Sequence, residues 1–92
     1  MQNDTICVHA FVSGRVQGVW FRAFTRQKAL EEDVCGWANN LQDGRVEVML
    51  SGHQEAIESV MRALQEGPEL ARVDDIVRET LPPQDFEGFR CG

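Results

Sequence analysis

The nine residues Gly14-Arg15-Val16-Gln17-Gly18-Val19-Trp20-Phe21-Arg22 are the part of this 92-residue sequence best suited to chemistry. Gly14 and Gly18 lack a Cβ, so the backbone there turns sharply and comes close to a ligand. The run follows residues that alternate like a strand and opens residues of helical composition. The first N–H groups of a helix have no intrahelical partner and carry the positive end of the helix dipole. A junction of this kind holds a phosphate-like anion. Arg22, in the first helical turn, adds a planar fork of donors that matches phosphate oxygens in pairs. Charge placement agrees with this reading. The chain has 15 acidic residues against 9 basic ones, yet no acid lies between Asp4 and Glu31, a window that holds Arg15, Arg22, Arg26 and Lys28. The same stretch also suits a tight turn with solvated arginines, and by itself it leaves both readings open.

The elements that must position these residues follow from periodicity. Thr5 to Ser13 alternates, with Ile6, Val8, Ala10 and Val12 on one face and Cys7, His9, Phe11 and Ser13 on the other, which predicts a half-buried strand. Phe21 to about Glu32 is helical in composition, with two candidate inner faces: Phe21, Thr25 and Ala29, or Ala23, Leu30 and Val34. Cys35 to Leu41 reads as a second strand. Asp43-Gly44 between apolar runs signals a hairpin, because a tight turn there needs positive φ. Arg45 to Ser51 returns as the third strand, with Val46, Val48 and Leu50 on one face. Gln54 to Glu66 is a second helix whose Ile57, Val60, Met61 and Leu64 form a core stripe, ended by Gly67-Pro68. Arg72 to Leu81 is a fourth strand with imperfect alternation around Val73, Ile76 and Val77. After Pro82-Pro83, Phe86 to Cys91 is expected as a short edge strand with Phe89 and Cys91 pointing inward.

This order predicts an α+β fold of the ferredoxin-like, split β-α-β type: β-α-β-β-α-β plus a short C-terminal strand, with two helices on one face of an antiparallel sheet. Residues 1–92 suffice for one domain with one modest core. No apolar run approaches the length of a membrane span. The polar start, Met1-Gln2-Asn3-Asp4, resembles no secretory leader, which places the chain in the cytoplasm. A net charge of −6 argues against binding to nucleic acid or a membrane surface. Cys7, Cys35 and Cys91 are too scattered for a zinc site and read as buried thiols, with a Cys7–Cys91 bridge left open. His9 and His53 lack the spacing of a metal-binding pair, so no metal is expected.

A second motif, Gly36-Trp37-Ala38-Asn39-Asn40-Leu41-Gln42-Asp43-Gly44-Arg45-Val46-Glu47, joins the first. Together, and with Ala71-Arg72-Val73 opening the fourth strand, they resemble the acylphosphatases, small free-standing enzymes of the bacterial type. The resemblance spans nearly the whole chain. It implies hydrolysis of the carboxyl–phosphate bond of an acyl phosphate to a carboxylate and inorganic phosphate. It implies that Arg22 binds the phosphate with the loop amides of Arg15, Val16, Gln17, Gly18 and Val19, and that Asn40 positions the attacking water. No cofactor, no metal and no covalent enzyme intermediate are implied. The expected partner is a small acyl phosphate, with inorganic phosphate or sulfate able to occupy the same site, and the expected state is a monomer. Without the first motif, Asn40 would read as a residue capping the turn; Asn39 is expected either to do so or to face solvent.

The remaining assignments are smaller. Gln17 is expected to brace the loop, Arg26 to steer anions, and Trp37 to pack. Trp20 stands where bacterial relatives often carry Gly, so a bulky aromatic there narrows the site or shapes acyl-group preference. Glu32-Asp33 replaces an apolar residue and Gly, which requires Asp33 to tolerate a left-handed conformation. Two other functions compete: a phosphate-binding module without turnover, and an RNA binder using His9 and Phe11 on the open sheet face, which the acidity disfavours.

Overall fold

A period of two along a strand buries one face, and the first strand does so. In β1 (Thr5–Arg15), Val8, Ala10 and Val12 are fully buried while His9 and Phe11 stay partly open. In the computed structural model, which describes residues 5–84 and 88–91, β1 is followed by α1 (Phe21–Glu31), β2 (Cys35–Asn40), β3 (Val46–His53) and α2 (Gln54–Glu66). Then come β4 (Arg72–Leu81) and β5 (Phe89–Cys91). The sheet order is β4-β1-β3-β2-β5. β3 lies between β1 and β2 and runs antiparallel to both, so the β1-α1-β2 unit crosses over it; β1 separates β3 from β4 in the same way. Both helices cover the face bearing Val8, Ala10, Val12, Ala38, Val46, Val48 and Leu50. This is the ferredoxin-like α+β sandwich expected from the periodicity.

The sheet departs from that expectation at one edge. β5 pairs with β2 in parallel, Gly36 opposite Phe89 and Ala38 opposite Cys91, so only β1 to β4 form an antiparallel set. Phe86 lies outside the described residues, as do the side chains of Phe89 and Cys91 that were expected to point inward. Cys7 is a free, buried thiol on β1, and it donates to Met49 Sδ at 3.3 Å. Burial pushes its pKa up, which keeps it protonated and unreactive. β1 and β5 are three strands apart, about 14 Å at the usual spacing, which is beyond the reach of a Cys7–Cys91 bridge.

The imperfect alternation of β4 has a definite cause. Ser13 pairs with Asp75 but Gly14 pairs with Val73, so Asp74 is an extra residue in the ladder. The bulge puts Val73 and Ile76, three residues apart, on the same core-facing side. It also demands glycine on the partner strand. Gly14 has φ 124°, and a Cβ there would fall 2.2 Å from the Arg72 carbonyl oxygen.

Of the two faces read for α1, Phe21, Thr25 and Ala29 form the buried one, while Leu30 is 47% exposed. Thr25 is accommodated because its hydroxyl donates to the Phe21 carbonyl at 2.9 Å. The helix ends as its residues require. Asp33 takes φ 60°, its N–H donates to Leu30 O at 3.3 Å, and Val34 N–H donates to Ala29 O at 2.8 Å. This is a Schellman ending with aspartate in the place that glycine normally fills. The left-handed conformation is strained for a residue with a Cβ, and a carboxylate opposes the negative end of the helix dipole. Asp33→Gly relieves both, and is expected to add about 1 kcal/mol, or roughly 4–8 °C in Tm. Thermal melts of the two proteins check this; an unchanged or lower Tm rejects it.

Candidate active site

The bulge at Gly14 ends the regular strand and redirects the chain into the loop that leads to α1. Val16 and Val19 are buried, whereas the stretch between them comes out to solvent at the exposed Gly18. Gly18 sits in that outward stretch at φ 73°, where an added Cβ would meet no atom within 4 Å. Left-handed geometry, rather than crowding, is what favours glycine there. The loop ends at Trp20, which caps α1 at φ 66°, ψ 19° and is 77% exposed. For a residue with a Cβ this conformation costs about 1–2 kcal/mol.

The first turn of α1 carries no acid of its own. Phe24 N–H donates to the Trp20 carbonyl at 2.9 Å and opens the intrahelical ladder. The N–H groups of Phe21, Arg22 and Ala23 precede that ladder. No side chain caps the helix, and its first turn has no acidic residue, whereas α2 carries Glu55 in its first turn. In a chain with 15 acidic side chains, this helix start combines the positive end of the helix dipole with the Arg22 side chain and carries no acid in its own first turn, which suits an anion.

The second motif arrives from the other side of the sheet's end. Ala38 is buried against the helices, so by alternation Asn40 shares its face and Asn39 takes the opposite one. Asn39 stands across from Glu47, which pairs with His9 on the open face at 2.6 Å. Asn40 is the last residue of β2 and opposes Val46. The hairpin beyond it is closed by Leu41 N–H on Arg45 O at 2.8 Å and Gly44 N–H on Leu41 O at 3.2 Å. The Asp43 carboxylate accepts the Arg45 backbone N–H at 3.0 Å and Arg45 Nε at 2.8 Å. The backbone bond is the larger reason that its pKa lies below the ordinary 3.8. The Arg45 guanidinium lies 4.6 Å over the Phe11 ring.

Gln17 joins the two halves. Its side-chain amide donates to Leu41 O at 2.8 Å and to Arg45 O at 2.9 Å, so the loop is tied to the hairpin immediately after Asn40. Between the two halves lies a depression of about 420 Å³ lined by Val16, Gly18, Trp20, Phe21, Arg22, Ala23 and Asn40.

Arg22 and Asn40, 18 positions apart in sequence, therefore meet in one place with Val16 and Gly18. Arg15, which is exposed and ends β1 opposite Arg72, does not line the depression, and neither do Gln17 and Val19. Arg26 is exposed and Trp37 faces the open side of the sheet, 6.3 Å from the His9 ring. Phe21 and Ala23 were absent from the expected lining, although they flank Arg22 in the first helical turn. The anchors of Gln17 could not be read from sequence, because backbone carbonyls carry no residue-type signal. Removing the Gln17 amide deletes two hydrogen bonds, worth about 1–3 kcal/mol together. Gln17→Ala is expected to lower the urea midpoint accordingly, and Gln17→Glu, which faces a carboxylate toward two carbonyl oxygens, at least as much. Wild-type midpoints in both would mean that the tie carries no energy.

The comparisons with known proteins fit this geometry. The family model for acylphosphatase matches residues 8–91. An acylphosphatase of Nitrosococcus oceani is 48% identical over 83 residues, covering 90% of this chain and 93% of its own. One from Pseudomonas paraeruginosa is 49% identical over 84 residues, covering 91% and 92%. The structure of an acylphosphatase from Coxiella burnetii superposes with a TM-score of 0.93 at 37% identity, covering 100% of this chain and 99% of that one. With the family model matched over residues 8–91 and relatives 48% and 49% identical across nine-tenths of its length, the chain belongs to the acylphosphatase family.

Proposed function

We propose that Arg22 and the loop amides grip the phosphoryl group of an acyl phosphate while Asn40 orients the water that attacks it. As a family member the chain is an acylphosphatase, a hydrolase acting on acid anhydrides. Residues 1–92 act as one domain on a small-molecule substrate, as a monomer and without a metal. The observation that carries this reading is the meeting of Arg22, the uncapped start of α1 and Asn40 in one depression.

The chemistry asks little more of the protein. A carboxylate is a good leaving group, so the task is to hold the phosphoryl group, spread its charge and align a water in line. The water oxygen bonds to phosphorus, the bond from phosphorus to the acyl oxygen breaks, and the carboxylate departs with the electron pair. Amides at Val16, Gln17, Gly18 and Val19, with that of Arg15 at the strand end, and the Arg22 fork supply the charge stabilisation. Asn40 accepts a hydrogen bond from the water through its carbonyl oxygen but takes no proton at neutral pH. Among the residues lining the depression there is no carboxylate, histidine or thiol. Among the described residues that set holds no anionic cation ligand and no general base, which favours the substrate phosphate or bulk water as the acceptor of the water's proton. The free thiols of Cys7 and Cys35 suit a reducing, cytoplasmic compartment. No described helix is long and apolar enough to cross a membrane.

The test is phosphate release from benzoyl phosphate in excess EDTA. Wild-type turnover is expected in chelator. Arg22→Ala is expected to lose about 10²–10³ in kcat/KM, the usual cost of one oxyanion donor, and Asn40→Ala about 10² through a misplaced water. Asn39→Ala, on the opposite face, keeps near-wild-type activity. Activity surviving both Arg22→Ala and Asn40→Ala would place the chemistry elsewhere, and no wild-type turnover in folded protein would favour a phosphate-binding module.

A pH profile addresses the proton separately. We expect kcat/KM to follow the ionisation of the substrate and to be unchanged in His9→Gln, since His9 lies on the far face of the sheet. An inflection that a histidine or carboxylate variant removes would show that a protein base takes the proton.

A further inference from the structure

Trp20 is unexplained by the fold that surrounds it. It holds a left-handed backbone that an L residue with a Cβ resists, with φ 66° and ψ 19°. Burial does not offset that strain, because 77% of the residue remains exposed. Its side chain makes no capping hydrogen bond to α1. Strain retained without a packing return is characteristic of positions held for function. The place is specific: Trp20 stands at the rim of the depression, immediately before the α1 start, together with Arg22 and Asn40.

Resting on the acylphosphatase reading above, we infer that Trp20 selects acyl phosphates whose acyl group presents a flat apolar face, an aromatic acyl group above all. The loop and Arg22 hold the phosphoryl end, so the acyl group projects from the depression toward its rim. There it meets an indole whose face is largely in water. An aromatic acyl group covers that face by offset or edge-to-face stacking, whereas a two-carbon acyl group is too small to do so. The walls below are suited to the same substrate: Val16 and Phe21 are buried apolar side chains that border the cavity, and about 420 Å³ exceeds what a phosphoryl group with a two-carbon tail fills. Specificity of this kind is uniform binding. It acts on KM more than on kcat, because the stacked ring lies away from the bonds that change.

The experiment measures kcat and KM for benzoyl phosphate and acetyl phosphate with wild type, Trp20→Gly and Trp20→Phe, alongside thermal melts. The benzoyl-to-acetyl ratio of kcat/KM is expected to fall by about 3- to 10-fold in Trp20→Gly, the range of an aromatic stacking contact. The loss should reside in KM for benzoyl phosphate, and Trp20→Phe should restore most of it. Trp20→Gly should melt no lower than wild type, since glycine is at ease in the left-handed region, so the loss is not one of folding. An equal ratio in wild type and Trp20→Gly overturns the inference while leaving acylphosphatase activity intact. A fall in both substrates alike, or a loss seated in kcat, overturns it too. Turnover of neither substrate by the wild type overturns the acylphosphatase reading, and this inference with it.

Discussion

Two hydrogen bonds from the Gln17 amide hold the site together. They run from a loop that belongs to the β1-α1 connection to carbonyls of the β2-β3 hairpin, at 2.8 and 2.9 Å. Positioning is worth most when the groups positioned are few, because each must be within a fraction of an ångström of its task. In the proposed mechanism the donors sit on the loop and at the start of α1, and the amide that would orient the water, Asn40, sits at the end of β2. No hydrogen bond within either element could set the distance between them. A side chain able to donate twice to two carbonyls does so, and glutamine is the shortest uncharged residue with that reach and two donors on one nitrogen.

The electrostatics of the molecule are arranged by omission. Surface ion pairs such as Arg78–Glu58 and Arg72–Asp74 place acids beside bases over much of the surface. In the first turn of α1 there is no acid. A helix start without carboxylates in its first turn keeps the positive end of its dipole available to a mobile anion, which a fixed carboxylate there would partly neutralise. This constraint is local, so a protein of net charge −6 can still offer an anion site.

Backbone strain marks both ends of α1. Trp20 and Asp33 are the described non-glycine residues with positive φ. The two differ in what surrounds them. Asp33 lies at a Schellman ending far from the depression and fulfils a geometric need that glycine would meet better. Trp20 lies in the wall of the site, where its side chain has a use that glycine would lack. The same dihedral cost therefore reads as a tolerated defect at one end of the helix and as a functional device at the other.

The order of elements, the core face of β1 and β3 and the stripe of α2 were legible in the sequence, and so were Arg22 and Asn40 as candidates, which the fold brings to one depression. Periodicity reports burial directly, since one face of a strand or helix meets the core, and motifs report residue types whose chemistry is local. Positive φ at Asp33 was expected from the family resemblance, in which glycine often stands at that place, and the chain adopts it at φ 60°. Other features depended on partners remote along the chain. The rotation of α1 was settled by packing, which buried Phe21, Thr25 and Ala29 and left Leu30 in water. The broken alternation of β4 became intelligible only once Asp74 was seen as a bulge opposite Gly14. The parallel pairing of β5 with β2 and the anchoring of Gln17 on two backbone carbonyls are likewise tertiary facts. A side chain's type is written in the sequence, but strand neighbours and the backbone groups it finds are chosen by the folded chain, which brings distant carbonyls within hydrogen-bond range.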